Sequence, residues 1–250
     1  MSNRHDSVRA AKTVTPKFAP CGDAALTVEF AQAIDTDINA CVLGLDAEIA
    51  NAAIAGIQET VPTYGSLLVY YDPLVTSFAT LRGELVALCA KAIAIRSTGA
   101  GWTIPVTYGG EFGFDLDAVA AFHGLDPQEV VRRHTAAPYR IFMIGFLPGF
   151  TYLGGLDPTL ALPRRPVPRL KVPAGSIVIG GLQAAIGSIE GPSGWHVIGR
   201  TPVRLFMPER DPLVFVKPGD TIALRPISAA EHQALEHDAA GGALVAEPCP

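Results

Sequence analysis

Period-two apolar alternation and two amphipathic helical stretches before residue 100, followed by many short apolar runs broken by glycine and proline, predict an α+β protein. The 250 residues suffice for one large domain or two small ones, and the change of texture near residue 98 favours two. With 49% hydrophobic and 17% charged residues, the chain can bury a core and is too apolar for disorder. Its 25 glycines and 21 prolines provide turns without a collagen-like period.

Residues 1–16 are polar and aperiodic and read as a flexible arm. After the Gly22-Asp23 turn, Ala25–Phe30 alternates, with Leu26, Val28 and Phe30 on one face of a strand. Ile38, Val42, Leu45 and Ile49 then recur at helical spacing, with Asp35 or Thr36 as the cap. Short strands follow near Ile57–Pro62 and at Ser66–Tyr71; the second is apolar enough to be buried on both faces. A second helix covers Ser77–Ile95, with its stripe at Phe78, Leu81, Leu85, Leu88 and Ala92. Closed by a strand at Trp102–Val106, this β-α-β-β-α-β order is ferredoxin-like. Ser, Thr and Gly cluster at Ser97–Gly101, so the first domain is assigned to 17–98.

The second domain is assigned to 99–238. Leu116–His123 and Pro127–His134 read as short helices, the latter with Asp126 as N-cap and proline at its first position. Strand-like runs follow at Arg140–Gly145, Ser176–Ile179, Ala184–Ile186, His196–Ile198, Leu205–Met207, Leu213–Val216 and Thr221–Leu224, the pattern of a sandwich or small barrel. A last helix starts at Ser228, with Glu231 completing a capping box, and 239–250 reads as a loose tail.

Several classes are excluded. A net charge of −5 argues against a nucleic-acid or membrane-surface binder. The longest apolar stretches, Ile141–Leu147 and Leu85–Ile95, are too short to span a bilayer. The polar N-terminus lacks the apolar core of a signal peptide, and the scattered Cys21, Cys41, Cys89 and Cys249 fit a reducing compartment, so a cytoplasmic protein is expected. No Walker loop, Rossmann fingerprint or zinc-protease motif is present, and Ser193 lacks the context of a nucleophile elbow, so no metal site is expected.

Chemistry concentrates between Arg140 and Arg204. Arg140, Arg164, Arg165, Arg169, Lys171, Arg200 and Arg204 face only Asp157 and Glu190 there, a local reversal of the chain's charge that suits an anionic ligand. Prolines stiffen Pro163–Pro173, so Arg164, Arg165, Arg169 and Lys171 lose less entropy when they clamp a carboxylate or phosphate. Gly145-Phe-Leu-Pro-Gly-Phe150 is a tight apolar turn whose Phe146 and Phe150 line a pocket or form a barrel corner. Trp195 reads as a stacking wall or a core residue. His134 ends a helix, where the dipole favours it; an acid or base role is the alternative.

Gly145-Phe-Leu-Pro-Gly-Phe-Thr-Tyr-Leu-Gly-Gly-Leu-Asp-Pro158 resembles the signature of the KipI / allophanate hydrolase subunit 1 family. The resemblance continues through Pro163-Arg164, Pro168-Arg169, Val172-Pro-Ala-Gly-Ser176, Gly194-Trp195, Ile198-Gly-Arg-Thr-Pro202 and Pro218-Gly-Asp220. In the first half, Gly22-Asp-Ala-Ala-Leu26 and Val61-Pro-Thr-Tyr64 also match. It implies a ferredoxin-like domain followed by a cyclophilin-like barrel. It further implies one member of a 5-oxoprolinase-type hetero-oligomer. Its partners would be a homologous subunit 2, like the C component of that enzyme, and a lactam-opening protein like the A component. The implied reaction uses ATP, with magnesium, to open 5-oxoproline to glutamate. From charge and position, Arg169 and Arg200, together with His134 at its helix end, are the catalytic candidates for that reaction. Arg164, Arg165, Lys171, Gln183, Trp195, Phe146 and Phe150 are the candidates for holding substrate. Two other roles come with the resemblance: inhibition of a sensor histidine kinase, and half of a biotin-dependent carboxyltransferase of the urea carboxylase kind.

The chain departs from the family pattern. Gln-Thr-Gly-Ile-Tyr-Pro is replaced by Gln183-Ala-Ala-Ile-Gly-Ser188, Ser-Pro-Gly-Gly-Trp by Gly191-Pro-Ser-Gly-Trp195, and Pro-Thr-Tyr-Arg-Ser by Pro62-Thr-Tyr-Gly-Ser66. The lost threonine and tyrosine remove two polar handles from the expected pocket wall, so the alternatives are another lactam or amide as substrate, or a heavier dependence on the partner subunit.

Overall fold

The computed structural model describes residues 15–92 and 99–249, which fall into two compact units divided at Ser97/Thr98. Residues 1–14 of the expected arm, the end of the second helix past Ala92, and Ser97 and Thr98 of the expected linker lie outside the described residues. No helix among the described residues is long and apolar enough to cross a membrane.

The first unit runs β1 (Lys17–Pro20), β2 (Ala25–Glu29), α1 (Thr36–Ala52), β3 (Ile57–Pro62), β4 (Ser66–Tyr71) and α2 (Phe78–Ala92). Its sheet has the order β1-β2-β4-β3 and is antiparallel throughout. Leu26 pairs with Val69 and Val28 with Leu67, so the alternating apolar residues of both central strands share one face. Val42, Leu45 and Ile49 of α1 and Leu81, Leu85 and Leu88 of α2 pack onto that face. Each such side chain contributes about 1.5–3 kcal/mol on burial. The Asp35 side chain caps α1 by accepting from the backbone N–H of Asp37 at 2.8 Å.

Two expectations are corrected here. The fourth strand of this sheet is β1, from the N-terminal side, not Trp102–Val106, which belongs to the second unit; the expected ferredoxin-like closure is therefore not made. Strand β4 buries one face, through Leu67, Val69 and Tyr71, while Tyr70 points outward at 39% exposure. The apolar content of β4 masked its alternation.

The second unit contains β5 (Gly101–Tyr108), α3 (Leu116–His123), α4 (Pro127–Ala136), β6 (Tyr139–Ile144), β7 (Thr151–Gly154), β8 (Arg169–Val172), β9 (Ser176–Gly180), β10 (Gln183–Ile186), β11 (Gly191–Ser193), β12 (His196–Arg200), β13 (Thr221–Pro226), α5 (Ala229–Ala240) and β14 (Glu247–Cys249). Strands β12-β9-β10-β7-β6-β13-β5 form one sheet, and pairing of Gly199 with Tyr108 and Arg200 with Thr107 closes it into a seven-stranded barrel. Strands β8 and β11 make a separate two-stranded ribbon. Ile104, Ile141, Leu153, Ile177, Ile179, Ile186, Ile198 and Leu224 belong to the packed barrel core, so the barrel has a filled interior and is not a channel.

Polar pins fix this unit. The Asp220 carboxylate accepts from the Ala100 N–H at 2.8 Å, Trp102 Nε1 at 3.2 Å and the Lys217 N–H at 2.9 Å, which explains the Pro218-Gly-Asp220 motif as structural. Asp126 and Ser228 cap α4 and α5 as the sequence predicts. Leu205–Met207 and Leu213–Val216 differ from expectation: only Phe206 and Val214 bridge, and the Arg210 guanidinium donates to carbonyls there, including that of Leu205 at 2.8 Å. Within the expected loose tail, β14 pairs with β5 and Ala246 joins the core; Pro250 lies outside the described residues.

Candidate functional site

Register across the barrel wall builds the site. Tyr152, Ala185, Val178 and Val197 pair in turn across β7, β10, β9 and β12, so they form one row on a shared face. Phe150, Val172 and Trp195 complete a second apolar cluster with Val178, Ala185 and Val197, apart from the barrel core. Strand β9 is consequently buried throughout. A Cβ at Gly180 would stand 2.9 Å from the Trp195 indole, so only glycine lets that ring lie against β9.

Above this row the chain forms a cleft of about 260 Å³, lined by Phe146, Phe150, Tyr152, Arg164, Pro168, Pro192, Ser193, Gly194 and Trp195. Its walls are aromatic. Phe146 meets Phe150 edge-on at 5.6 Å, Phe150 meets Tyr152 at 4.9 Å, and Tyr152 meets Trp195 at 5.9 Å between ring centroids. The Arg164 guanidinium lies 5.5 Å from the Trp195 ring centre.

The flanking loops are fixed by hydrogen bonds. In the Gly145–Phe150 turn, the Gly145 N–H donates to the Phe150 carbonyl at 3.0 Å, and the Ser188 hydroxyl donates to the Pro148 carbonyl. This turn holds Phe146 at a φ of 75° and leaves it 63% exposed. A strained backbone that holds a phenylalanine in solvent costs about 1–3 kcal/mol, a pattern typical of binding sites. The arginine loop is tied by the Arg165 N–H to the Gly194 carbonyl at 2.7 Å and by His196 Nε2 to the Pro163 carbonyl at 3.0 Å.

Beneath that loop lies Asp115, absent from the candidates drawn from sequence. Its carboxylate accepts from both Nη atoms of Arg169 at 2.7 Å, from Arg165 Nη1 at 3.1 Å, and from the Val197 N–H at 2.8 Å. Burial alone would raise its pKa; the hydrogen bonds from Arg169 and Val197 and the two guanidinium charges outweigh this and hold it below its ordinary value. Nothing local marks this acid. It sits at the start of α3, outside the basic stretch, and its side chain makes no helix-capping bond.

The sequence-selected residues therefore separate. Arg164, Trp195, Phe146 and Phe150 meet in one cleft. Arg165 and Arg169 share the single carboxylate of Asp115, which leaves that group one net positive charge, and Lys171 pairs with Glu190 at 3.0 Å on an exposed rim. Gln183 opens β10 opposite Gly180 and Arg200 lies 4.8 Å from the Phe112 ring centre; neither lines the cleft. His134 is fully buried, bonded to the Tyr108 hydroxyl at 2.9 Å, and burial pushes its pKa down to about 3. It is neutral at physiological pH, so neither the helix-dipole reading nor a solvent-facing acid–base role fits. Of the three catalytic candidates, His134 bonds Tyr108, Arg169 pairs with Asp115 and Arg200 lies over Phe112.

Tyr152 has its pKa raised, by burial first and against the opposing effect of Arg164. The cleft's hydroxyls are thus protonated at neutral pH, and Arg164 supplies its charge. Aromatic faces beside one guanidinium are the chemistry that suits an anion with a flat body. The class defined by this fold is a closed seven-stranded barrel domain with an aromatic cleft on its outer wall.

The chain belongs to the family of the carboxyltransferase domain, subdomains C and D, whose model matches residues 16–216. It is 34% identical over 237 residues to the B subunit of 5-oxoprolinase from Bacillus subtilis, covering 90% of this chain and 99% of that one. It is similar to the crystal structure of TTHA0988 with a TM-score of 0.73 and 31% identity, over 82% of this chain and 40% of that chain. This chain thus spans less than half of that longer protein. The Kluyveromyces lactis urea amidolyase structure gives a TM-score of 0.80 at 18% identity, over 94% of this chain and 16% of that one, a likeness of fold alone.

Proposed function

We propose that this chain is the B-type subunit of a 5-oxoprolinase-type complex, working in the cytoplasm with a homologous C-like partner and a lactam-opening A-like partner. The observation that carries this reading is the aromatic cleft with Arg164 at its edge, in a chain similar over nearly its whole length to the B subunit of 5-oxoprolinase. In this reading the cleft holds the substrate, and the complex hydrolyses the lactam with ATP as co-substrate.

The described residues of the cleft do not fit the ATP–magnesium part of that reaction. Among the described residues no cluster of three His, Cys, Asp or Glu side chains could hold a metal ion. The cleft offers one guanidinium and no carboxylate, too little charge for a triphosphate. We therefore assign the nucleotide to one of the partners and derive no step through it.

The test is phosphate release from ATP that depends on 5-oxoproline, measured with all three proteins and with each omitted in turn. Loss of turnover when this chain is withheld, and no turnover by this chain alone, are expected. Full turnover without it would overturn the reading.

A further inference from the structure

Asp115 stands at the start of α3, where an aspartate normally caps a helix by accepting from its first backbone N–H groups. Its carboxylate makes no such bond. Its hydrogen bonds run instead to the two sides of the cleft. Oδ1 accepts from Arg165 Nη1 at 3.1 Å and Arg169 Nη2 at 2.7 Å, and Oδ2 accepts from Arg169 Nη1 at 2.7 Å and the Val197 N–H at 2.8 Å. Arg165 follows Arg164 directly, and Val197 follows Trp195 by two residues. One buried carboxylate thus ties the loop that carries Arg164 to the segment that carries the Trp195 wall. Asp115 is itself held in place. Its N–H donates to the Val197 carbonyl at 2.9 Å, and a Cβ at Gly113 would collide with the Ile198 carbonyl, so this stretch lies flat on β12.

The tie is electrostatic as well as geometric. Arg165 and Arg169 share a single carboxylate and would repel one another without it. Asp115 is not among the residues that line the cleft. From this geometry we infer that Asp115 is a positioning residue for the substrate: acting through Arg165 and Arg169, it sets where Arg164 stands over Trp195, and it touches no ligand itself. The inference rests on the reading that the cleft holds the substrate. Two effects oppose each other when the carboxylate is neutralised. The uncovered positive charge attracts an anion more strongly, but at roughly 10 Å in a hydrated loop this is worth only about two-fold. Misplacing the guanidinium that bonds the substrate costs more, about five-fold or above.

The test is initial-rate kinetics of the assembled complex with 5-oxoproline varied. Asp115→Asn should raise KM about five-fold or more and leave kcat within about two-fold. Asp115→Glu keeps the charge but displaces the loop by one methylene, and should raise KM about three-fold or more. Combined with Arg164→Ala, neither substitution should change KM by more than about two-fold, because the side chain they position is gone. A merely structural defect lowers the active fraction in both backgrounds, which reduces kcat and leaves KM alone. If Asp115→Asn does not fold, Asp115→Glu carries the test by the same pattern. An unchanged or lowered KM in folded variants, a fall in kcat alone, or an equal rise in KM in the Arg164→Ala background would overturn the inference. If Arg164→Ala by itself raises KM, any of these results leaves the cleft standing as the substrate site. If it does not, that reading falls and the inference falls with it.

Discussion

Asp115→Ala is expected to destabilise the barrel unit by about 3 kcal/mol, because it strands two guanidinium groups and a backbone N–H around a buried site. The two arginines are partly exposed, which keeps the loss at the lower end of the range for broken buried pairs. Arg169→Ala should likewise act on stability first, since its guanidinium is already paired with Asp115 in the absence of substrate. The pair also sets a pH dependence. The folded Asp115 pKa lies below the unfolded value of about 3.8, so its contribution is complete above that value and is lost as pH falls through the folded one. Denaturant midpoints measured between pH 7 and pH 3 should drop more steeply in the parent than in Asp115→Asn. Parallel curves would show that the carboxylate charge does not hold the loop.

Trp195→Ala should cost about 3–4 kcal/mol, since the indole is 7% exposed and packs with Phe150, Val172, Val178 and Val197. It also removes the wall on which Arg164 rests. Trp195→Phe keeps most of the packing and should lose less than half as much stability, while still weakening ligand binding through the smaller face. Thermal melts of the two variants beside the parent decide this. Equal melting of all three would place Trp195 outside the packed cluster.

Much of this was legible where physics is local. A period-two run marked β2, a short apolar run between glycines marked β9, helical spacing marked the inner face of α1, and Asp126 and Ser228 marked two helix starts. Proline stiffening and the Gly145–Phe150 turn pointed to both loops of the cleft. What escaped depends on distant partners. Strand β14 is short, contains Pro248 and gains its order only by pairing with Gly101–Thr103. The strand at Trp102–Val106 satisfies either unit by sequence, and its parallel pairing with β13 decides the matter. Counting charge along a segment made Arg169 look available, because Asp115 reaches it from 54 residues away. The cleft lies on the outer wall, where alternate residues of four strands make a second apolar layer that emerges only from their pairing.

The most direct measurement is the dependence of initial rate on 5-oxoproline concentration for the assembled complex carrying either the parent chain or Arg164→Ala. Loss of one charge-assisted hydrogen bond to the substrate should raise KM by about ten-fold or more and leave kcat within about two-fold. An unchanged kcat/KM would contradict the claim that this chain holds the substrate.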